Sequence, residues 1–357
     1  MLRCVRVVSL LLAGLVASGP VAAADNGAPS DGAEALRLAL AAGQTAASET
    51  ALAADMASVF PQIHPILGDA GAANLARLKT REVDLAFVAT DVLAEATVED
   101  ATLRDSLELV TRVAPQEIHV LARTDIGKVS DLSGRQVNFG PPGSASAVTA
   151  AALFKAHRVE VEALSFDATD AIERLKQGAI SAVVVVGGKP APVIGAISAN
   201  SGIHLLPVSF SVPLETEYLP TRLGSADYPN LIPQGDEVAT VATGLVLLAA
   251  TSKDDSDSAG RVARFVDAVF PRFAALQAQG RHPKWREVNL AATLPGFKRN
   301  SAAASWLLAQ QDAAKRPLTA NADASQGPAL PQSISMSEEQ KEALFERFIE
   351  WQRGNER

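Results

Sequence analysis

Ile172–Glu–Arg–Leu–Lys–Gln–Gly–Ala–Ile–Ser–Ala–Val–Val–Val185 repeats the pattern of an earlier stretch, Leu75–Ala–Arg–Leu–Lys–Thr–Arg–Glu–Val–Asp–Leu–Ala–Phe–Val88. In each copy, apolar residues at helical spacing lead into a short apolar run that is typical of a buried strand. Two such helix–strand units predict two similar α/β lobes with a cleft between them. The pattern alone leaves a simpler interpretation open, since helix–strand joints look alike in many α/β proteins.

The length and composition allow two lobes, each with a core of its own. The chain has 357 residues, of which 48% are hydrophobic and 20% charged. We predict that the first lobe comprises residues 34–116 and 241–310 and that the second comprises residues 117–240. Residues 311–335 have the composition of a linker. Residues 336–353 open with a capping box and carry one apolar stripe, which predicts an amphipathic tail helix.

The first 24 residues predict a cleaved signal peptide. Arg3 and Arg6 precede an apolar stretch over residues 7–16, and small residues for cleavage follow at 21–24. The apolar stretch is too short for a permanent membrane span, although an uncleaved anchor is the alternative. We therefore expect a soluble protein exported to the periplasm. The single cysteine, Cys4, would leave with this segment, which excludes disulfides and thiol chemistry in the mature chain.

Charge and residue spacing exclude several classes of function. The net charge is −8 at pH 7, which argues against nucleic-acid binding. The five histidines are far apart in the sequence and show no metal-ligand spacing. We find neither a nucleophile elbow nor a phosphate-binding loop. We therefore expect a protein that is not an enzyme and that uses no cofactor or metal.

Loops after predicted strands are the places where open α/β sheets bind ligands. In Phe139–Gly–Pro–Pro–Gly–Ser–Ala–Ser146, two glycines, two hydroxyls and the start of a helix would suit a carboxylate or a phosphate. A plain turn with a serine cap is an equal alternative. Gly43–Ser48 and Thr90–Asp91 are the weaker counterparts in the first lobe. Lys189 and Tyr228 could also contact a ligand, or could be an ordinary solvated lysine and a packed tyrosine.

Two longer stretches carry a resemblance to a known family. Ser130–Ser146 is similar to the strand–loop–helix signature of the TAXI family of TRAP-transporter solute receptors, which are periplasmic binding proteins. Leu164–Ile194 follows the same family's next helix–strand–loop pattern, and Tyr228–Pro229 resembles its later turn. The resemblance implies an α/β fold, the two-lobe clamshell of type 2 periplasmic binding proteins, here followed by the linker and the amphipathic tail helix.

The resemblance also implies a function and a set of site residues. In this family, two lobes close on a small ligand, often an acidic amino acid or another carboxylate, and deliver it to the membrane permease of a TRAP-type transporter. We expect a monomer that binds one small molecule. The implied ligand-binding residues, with Tyr228 added, are Gly43, Gln44, Thr45, Gly71, Asn74, Thr90 and Asp91 in the first lobe and Gly140, Gly143, Ser144, Ala145, Ser146, Gly188, Lys189 and Pro190 in the second.

The first lobe departs from the family pattern. Its loop Ala41–Ser48 lacks the glycines and the aromatic pair of the family, and Asp69 adds a negative charge to the loop before Asn74. A ligand-poor or sensor-coupled exported interaction protein on the same fold is therefore the alternative hypothesis.

Overall fold

The computed structural model describes residues 38–42, 48–68, 71–214, 217–251 and 256–315. Helices and strands alternate along most of these residues. The strands are β1 Leu38–Ala42, β2 Ile63–Leu67, β3 Leu85–Ala89, β4 Leu107–Arg123, β5 Gln136–Asn138, β6 Glu162–Leu164, β7 Ala182–Gly187, β8 Ile203–Leu205, β9 Leu219–Gly224, β10 Glu237–Ala250 and β11 Lys298–Arg299. The α-helices are α1 Ser48–Val59, α2 Ala72–Lys79, α3 Thr90–Glu99, α4 Leu103–Ser106, α5 Ala145–His157, α6 Ala168–Lys176, α7 Pro192–Gly195, α8 Ser256–Val269 and α9 Ser301–Lys315.

One mixed sheet contains the 11 strands, in the main order β2-β1-β3-β10-β4-β7-β5-β6. The outer pairs are parallel, whereas the long strands β4 and β10 run antiparallel to their neighbours in this order. At Glu117, β4 exchanges β10 for β7 as its partner. At Ala242, β10 exchanges β9 for β4. These two strands therefore connect two α/β lobes, which is the two-lobe architecture that the sequence predicts.

The repeated stretch forms the same helix–strand unit in each lobe. Leu75 and Leu78 of α2 are buried against β3, and Ile172 and Leu175 of α6 occupy the corresponding buried positions beside β7. All residues of β3 and β7 are buried, as expected for strands covered on both faces. The interpretation of the repeat as two α/β units is therefore confirmed.

Three apolar clusters stabilise the molecule. One cluster lies in the first lobe around Phe60 and Phe265, and another lies in the second lobe around Ile194. The third joins Val88 of the first lobe to Val184 of the second. Because this third cluster runs through both lobes, they share buried apolar surface as well as two strands.

Some elements differ from the sequence expectations. The Pro-, Gly- and Asp-rich composition of residues 219–237 predicts an irregular loop, but residues 219–224 form the strand β9 because this segment pairs with β10. Its proline is tolerated at the edge of the sheet. Thr90 and Asp91 begin a helix rather than end a strand. Residues 311–315 of the predicted linker are helical, as the last residues of α9.

Several predicted segments lie outside the described residues. They are the signal peptide, residues 43–45, Asp69, the remainder of the linker and the tail helix. In the part of the chain that the structure describes, no helix combines the length and apolarity needed to cross a membrane.

Candidate functional site

Loops of the two lobes meet where the parallel strands end. The backbone N–H of Ala72 in the first lobe donates to the carbonyl oxygen of Gly143 in the second, at 3.0 Å. The backbone N–H of Gly188 in the second lobe donates to the Ser48 hydroxyl oxygen in the first, at 2.7 Å. Predicted site residues from both lobes are thus brought together on one edge of the sheet, at the position where α/β folds bind ligands.

Gly71 lies directly against Gly143 of the second lobe. Its φ of 72° lies in the left-handed region, and a Cβ added there would overlap the carbonyl oxygen of Gly143. Gly143 also has a positive φ, of 74°, but an added Cβ would meet only ordinary contacts. A glycine at position 71 is therefore required both by the backbone conformation and by the close approach of the second lobe.

The second-lobe loop uses its hydroxyls internally. Ser144 is the N-cap of α5, and its side chain accepts a hydrogen bond from the backbone N–H of Ala147 at 3.2 Å. The Ser146 hydroxyl oxygen accepts from the backbone N–H of Val186 at 3.0 Å. Gly140 turns the chain with a φ of 92° directly beneath Ser144, and Ala145 is buried at the start of the helix. The serine-capped turn is therefore formed, and the loop is held rigidly against β7.

Asp91 lies in the first lobe, and its buried carboxylate accepts hydrogen bonds from side chains of the second lobe. One of its oxygens accepts from the backbone N–H of Val92 at 2.9 Å. The other accepts from the Tyr218 hydroxyl at 3.0 Å and from the Thr149 hydroxyl of α5 in the second lobe. Burial and the negative charge of Asp91 raise the pKa of Tyr218, which keeps its hydroxyl protonated as a donor. In this arrangement the carboxylate of Asp91 belongs to an inter-lobe network.

Thr90 and Asn74 are fixed by the first lobe itself. The Thr90 hydroxyl shares a hydrogen bond with the Thr243 hydroxyl at 3.0 Å and accepts from the backbone N–H of Gly244 at 3.0 Å. Asn74 is fully buried, and its amide donates to the carbonyl oxygen of Phe87 at 2.9 Å. The Asn74 amide oxygen has no partner among the described residues.

The polar groups of the Lys189 and Tyr228 side chains have partners within the second lobe. The Lys189 ammonium pairs with Asp227 at 3.3 Å, and Pro190 is exposed. Tyr228 is 1% exposed in the second-lobe core. Its hydroxyl oxygen accepts from the backbone N–H of Ala191 at 2.8 Å. The packed-tyrosine alternative therefore describes this structure, and Tyr228 supports the Gly188–Ala191 loop from beneath.

A buried ion pair beside Gly188 was not predicted from the sequence. Lys284 and Glu117 are both almost fully buried, and their ammonium and carboxylate groups are 2.6 Å apart. The other oxygen of Glu117 accepts from the backbone N–H of Lys189 at 3.0 Å. Burial raises the pKa of Glu117, while the Lys284 charge opposes that rise. No local sequence pattern could reveal this pair, since its members lie 167 positions apart.

The geometry is that of two lobes that share two long strands and meet at their loops. Glycine loops, helix starts and hydroxyls from both lobes can surround a small polar molecule when the lobes separate and close again. Among the described residues, no group of three His, Cys, Asp or Glu side chains could hold a metal ion.

The model of the NMT1-like family matches residues 55–291. The chain belongs to the NMT1-like family. The matched region extends from before Gly71 to beyond Lys284, so it includes parts of both lobes and the strands β4 and β10, but not Ser48. Membership of this family is consistent with a solute-binding protein of the type 2 fold, and the narrower resemblance to TAXI receptors stays a prediction.

Solved structures of solute-binding proteins resemble the chain. The alkanesulfonate-binding protein SsuA from Xanthomonas axonopodis pv. citri, bound to MOPS, is 16% identical, with 77% of this chain and 93% of that chain covered and a TM-score of 0.43. The amino acid ABC transporter substrate-binding protein AbpA from Streptococcus pneumoniae, bound to L-arginine, is 14% identical, with 71% and 96% covered and a TM-score of 0.39. A TctC solute binding protein from Polaromonas is 16% identical, with 68% and 88% covered and a TM-score of 0.38.

Proposed function

We propose that this protein is a periplasmic receptor that captures a small anionic solute, a carboxylate or an acidic amino acid, and delivers it to a TRAP-type permease. One observation carries the proposal: loops of both lobes converge at the strand ends, with Ala72 against Gly143 and Ser48 against Gly188. The family supports a solute-binding role. The TAXI-like motifs support the permease, and the predicted signal peptide supports the location.

Ligand capture in this proposal is a hinge motion about β4 and β10. When the lobes separate, the backbone N–H groups of Ala72 and Gly188 lose their cross-lobe acceptors and become donors for a ligand oxygen. A ligand that contacts both lobes then shifts the equilibrium towards the closed arrangement, by as much as its affinities for the two arrangements differ. The permease would recognise the closed form.

Binding is tested first with the mature chain, from residue 25 onward. Thermal unfolding and calorimetry against acetate, succinate, L-glutamate and L-aspartate should identify at least one stabilising anion. A ligand that binds only the folded state, at about 100 times its Kd, adds about 2.7 kcal/mol to the free energy of unfolding. Absence of stabilisation by every anion at millimolar concentration would overturn the anionic-ligand proposal.

Ser144 provides a charge test that preserves the fold. Ser144→Asp and Ser144→Asn both retain an N-cap for α5, but only aspartate adds a negative charge beside the proposed anion. We expect Ser144→Asp to weaken binding of the anion at least about tenfold relative to Ser144→Asn. Equal affinities of the two variants would remove the second-lobe loop from the anion site.

Delivery needs a separate experiment. A TRAP-type permease from the same genome, reconstituted in vesicles, should take up the identified anion only with the loaded receptor and an imposed ion gradient. Tight binding in calorimetry without receptor-dependent uptake would leave a receptor for a sensor or another transporter.

A second candidate is an exported interaction protein that binds no solute. The direct hydrogen bonds between the lobes favour it, because donors in both lobes already have acceptors within the chain and Asp91 occupies the hydroxyls of Thr149 and Tyr218. This candidate predicts that every small molecule leaves the unfolding temperature unchanged. The anion screen therefore separates the two candidates.

A further inference from the structure

Arg112 is a half-buried arginine whose guanidinium has no hydrogen-bond or ion-pair partner in the part of the chain that the structure describes. Each of the other half-buried arginines there has an acidic or carbonyl partner: Arg77 with Glu82, Arg123 with Asp125, Arg174 with Asp170, Arg261 with Asp84, Arg281 with Asp55, and Arg299 with Leu290 and Ala291. Partial burial of a charge without a partner is costly. The Arg112 guanidinium is thus positioned for an anion that the described residues do not supply.

The local backbone places the Arg112 guanidinium beside the start of α3. Arg112 lies opposite Val246, next to a register shift between Leu245 and Val246 where β4 bulges against β10. Bulges re-aim side chains and are frequent beside functional sites. A guanidinium nitrogen of Arg112 lies 3.7 Å from the point that a Cβ on Gly244 would occupy, and the Thr90 hydroxyl oxygen lies 3.2 Å from the same point. The guanidinium therefore lies beside the first residue of α3.

The surroundings of Arg112 favour an anion. The N-terminal end of a helix such as α3 carries partial positive charge, and this adds to the charge of the guanidinium. Asp91, the second residue of α3, is the acidic residue next to Thr90 in the chain. Its carboxylate is instead directed to Thr149 and Tyr218, and it forms no ion pair with Arg112. The chain thus keeps its own carboxylate away from this guanidinium.

We propose that Arg112 is the residue that binds the anionic group of the solute and selects for a carboxylate. A guanidinium fork matches the two oxygens of a carboxylate in a bidentate arrangement, which an ammonium cannot reproduce. The inference rests on the proposed function, because it names the contact that an anionic solute would make in the first lobe. In this proposal Arg112 provides the charge that holds the anionic group.

Calorimetry of Arg112 variants with acetate, succinate and L-glutamate tests the inference. We expect Arg112→Met to weaken binding of the best of these anions about 100-fold, and Arg112→Lys to weaken it about tenfold because the fork is lost. Arg135→Met is the matched control, since Arg135 is exposed in the second lobe before β5. A purely structural role predicts instead a lower unfolding temperature of free Arg112→Met with unchanged affinity.

The outcomes separate this inference from the proposed function. If the wild-type protein binds a carboxylate and Arg112→Met binds it equally well, the assignment of Arg112 is overturned and the receptor proposal stands. If the wild-type protein binds none of the anions, the receptor proposal fails, and a second measurement decides on Arg112. Phenylglyoxal modification of Arg112, located by mass spectrometry with Arg135 as the reference, should slow in the presence of sulfate. Equal rates with and without sulfate would overturn the anion assignment.

Discussion

Arg81 and Gly178 end the two repeated helices with the same left-handed backbone. Their φ values are 58° and 72°, and each precedes a residue whose N–H bonds back to the helix: Glu82 to Arg77 at 3.0 Å, and Ala179 to Arg174 at 2.9 Å. This is the usual chain reversal at a helix C-terminus, where glycine is favoured. The repeat therefore extends from the apolar pattern to the backbone of single residues.

Gly178→Ala should lower the free energy of unfolding by about 1 kcal/mol, because alanine is strained at a positive φ and its Cβ would lie 2.9 Å from the Arg123 guanidinium, which then has to move. Gly195→Ala is the control: Gly195 lies in α7, outside the positive-φ region, and an added Cβ meets nothing within 4 Å. Urea unfolding of both variants provides the comparison. Equal changes in the two would show that the left-handed conformation at Gly178 is not the cause.

His119 makes stability depend on pH. It is fully buried, and its Nε2 accepts from the Tyr228 hydroxyl, so the Nδ1–H donates to the carbonyl oxygen of Val185. Burial lowers the pKa of His119 from 6.5 to about 4. Between these values the unfolded chain binds a proton that the folded chain does not. Stability should therefore fall as the pH falls from 6.5 to 4, by up to about 3 kcal/mol.

Urea unfolding as a function of pH tests this expectation. His119→Gln removes the titrating group, so its stability should fall less steeply between pH 6.5 and 4. Some slope should remain, because burial also lowers the pKa of His157 and His282. His64→Gln, at an exposed position of β2, should leave the wild-type slope unchanged. A His119→Gln slope equal to that of the wild type would contradict the assignment.

Among the helices and strands, the sequence correctly predicts those whose formation depends on local residue patterns. The helical spacing of Ile172 and Leu175 and the apolar run of β7 predict their unit correctly, because burial and periodicity agree there. The strand β9 is missed because its pairing with β10, a long-range contact, outweighs a loop-like composition. For the same reason Lys284 gives no signal in the sequence. Its importance arises only when the fold brings it to Glu117.

Lys284→Met tests whether the ion pair with Glu117 stabilises β4 at the point where this strand changes partners. The substitution removes the ammonium that neutralises the buried carboxylate of Glu117, so we expect a loss of about 3–5 kcal/mol in the free energy of unfolding at neutral pH. Adding Glu117→Gln should restore part of the loss, because no uncompensated buried charge then remains. Denaturant unfolding of the two single variants and the double variant measures the coupling free energy between Lys284 and Glu117.

Glu287 provides the control for this pair. Its carboxylate also lies 3.0 Å from the Lys284 ammonium but is 42% exposed, so Glu287→Gln should cost no more than about 1 kcal/mol. A loss in Glu287→Gln as large as that in Lys284→Met would contradict the view that burial determines the cost.

At the scale of the whole molecule, two lobes share strands, a buried cluster and direct loop contacts. The repeat and the family-like motifs predict the two lobes and most of the loops that meet. They cannot predict that Gly71 and Gly143 touch, or that Asp91 reaches Thr149, because those distances depend on the relative position of the lobes. In the proposed hinge motion, these close contacts would favour the closed arrangement.

Gly71→Ala should shift this balance towards open lobes. The added methyl group would overlap the carbonyl oxygen of Gly143, and the closed arrangement can relieve the overlap only by moving the second-lobe loop. The strain at the positive φ of Gly71 is a separate cost, so it needs its own control. Gly134→Ala serves as that control, because Gly134 has a φ of 69° but nothing lies within 4 Å of an added Cβ.

Small-angle X-ray scattering of the two variants distinguishes overlap from strain. Both should lose about 1 kcal/mol of stability through strain at their positive φ. Only Gly71→Ala should increase the radius of gyration, because only there does the methyl group push one lobe from the other. Gly71→Ala should also weaken the binding of any ligand that requires the closed form, because the apparent Kd rises as the fraction of closed molecules falls. An unchanged radius of gyration in Gly71→Ala would mean that the contact between Gly71 and Gly143 does not control closure.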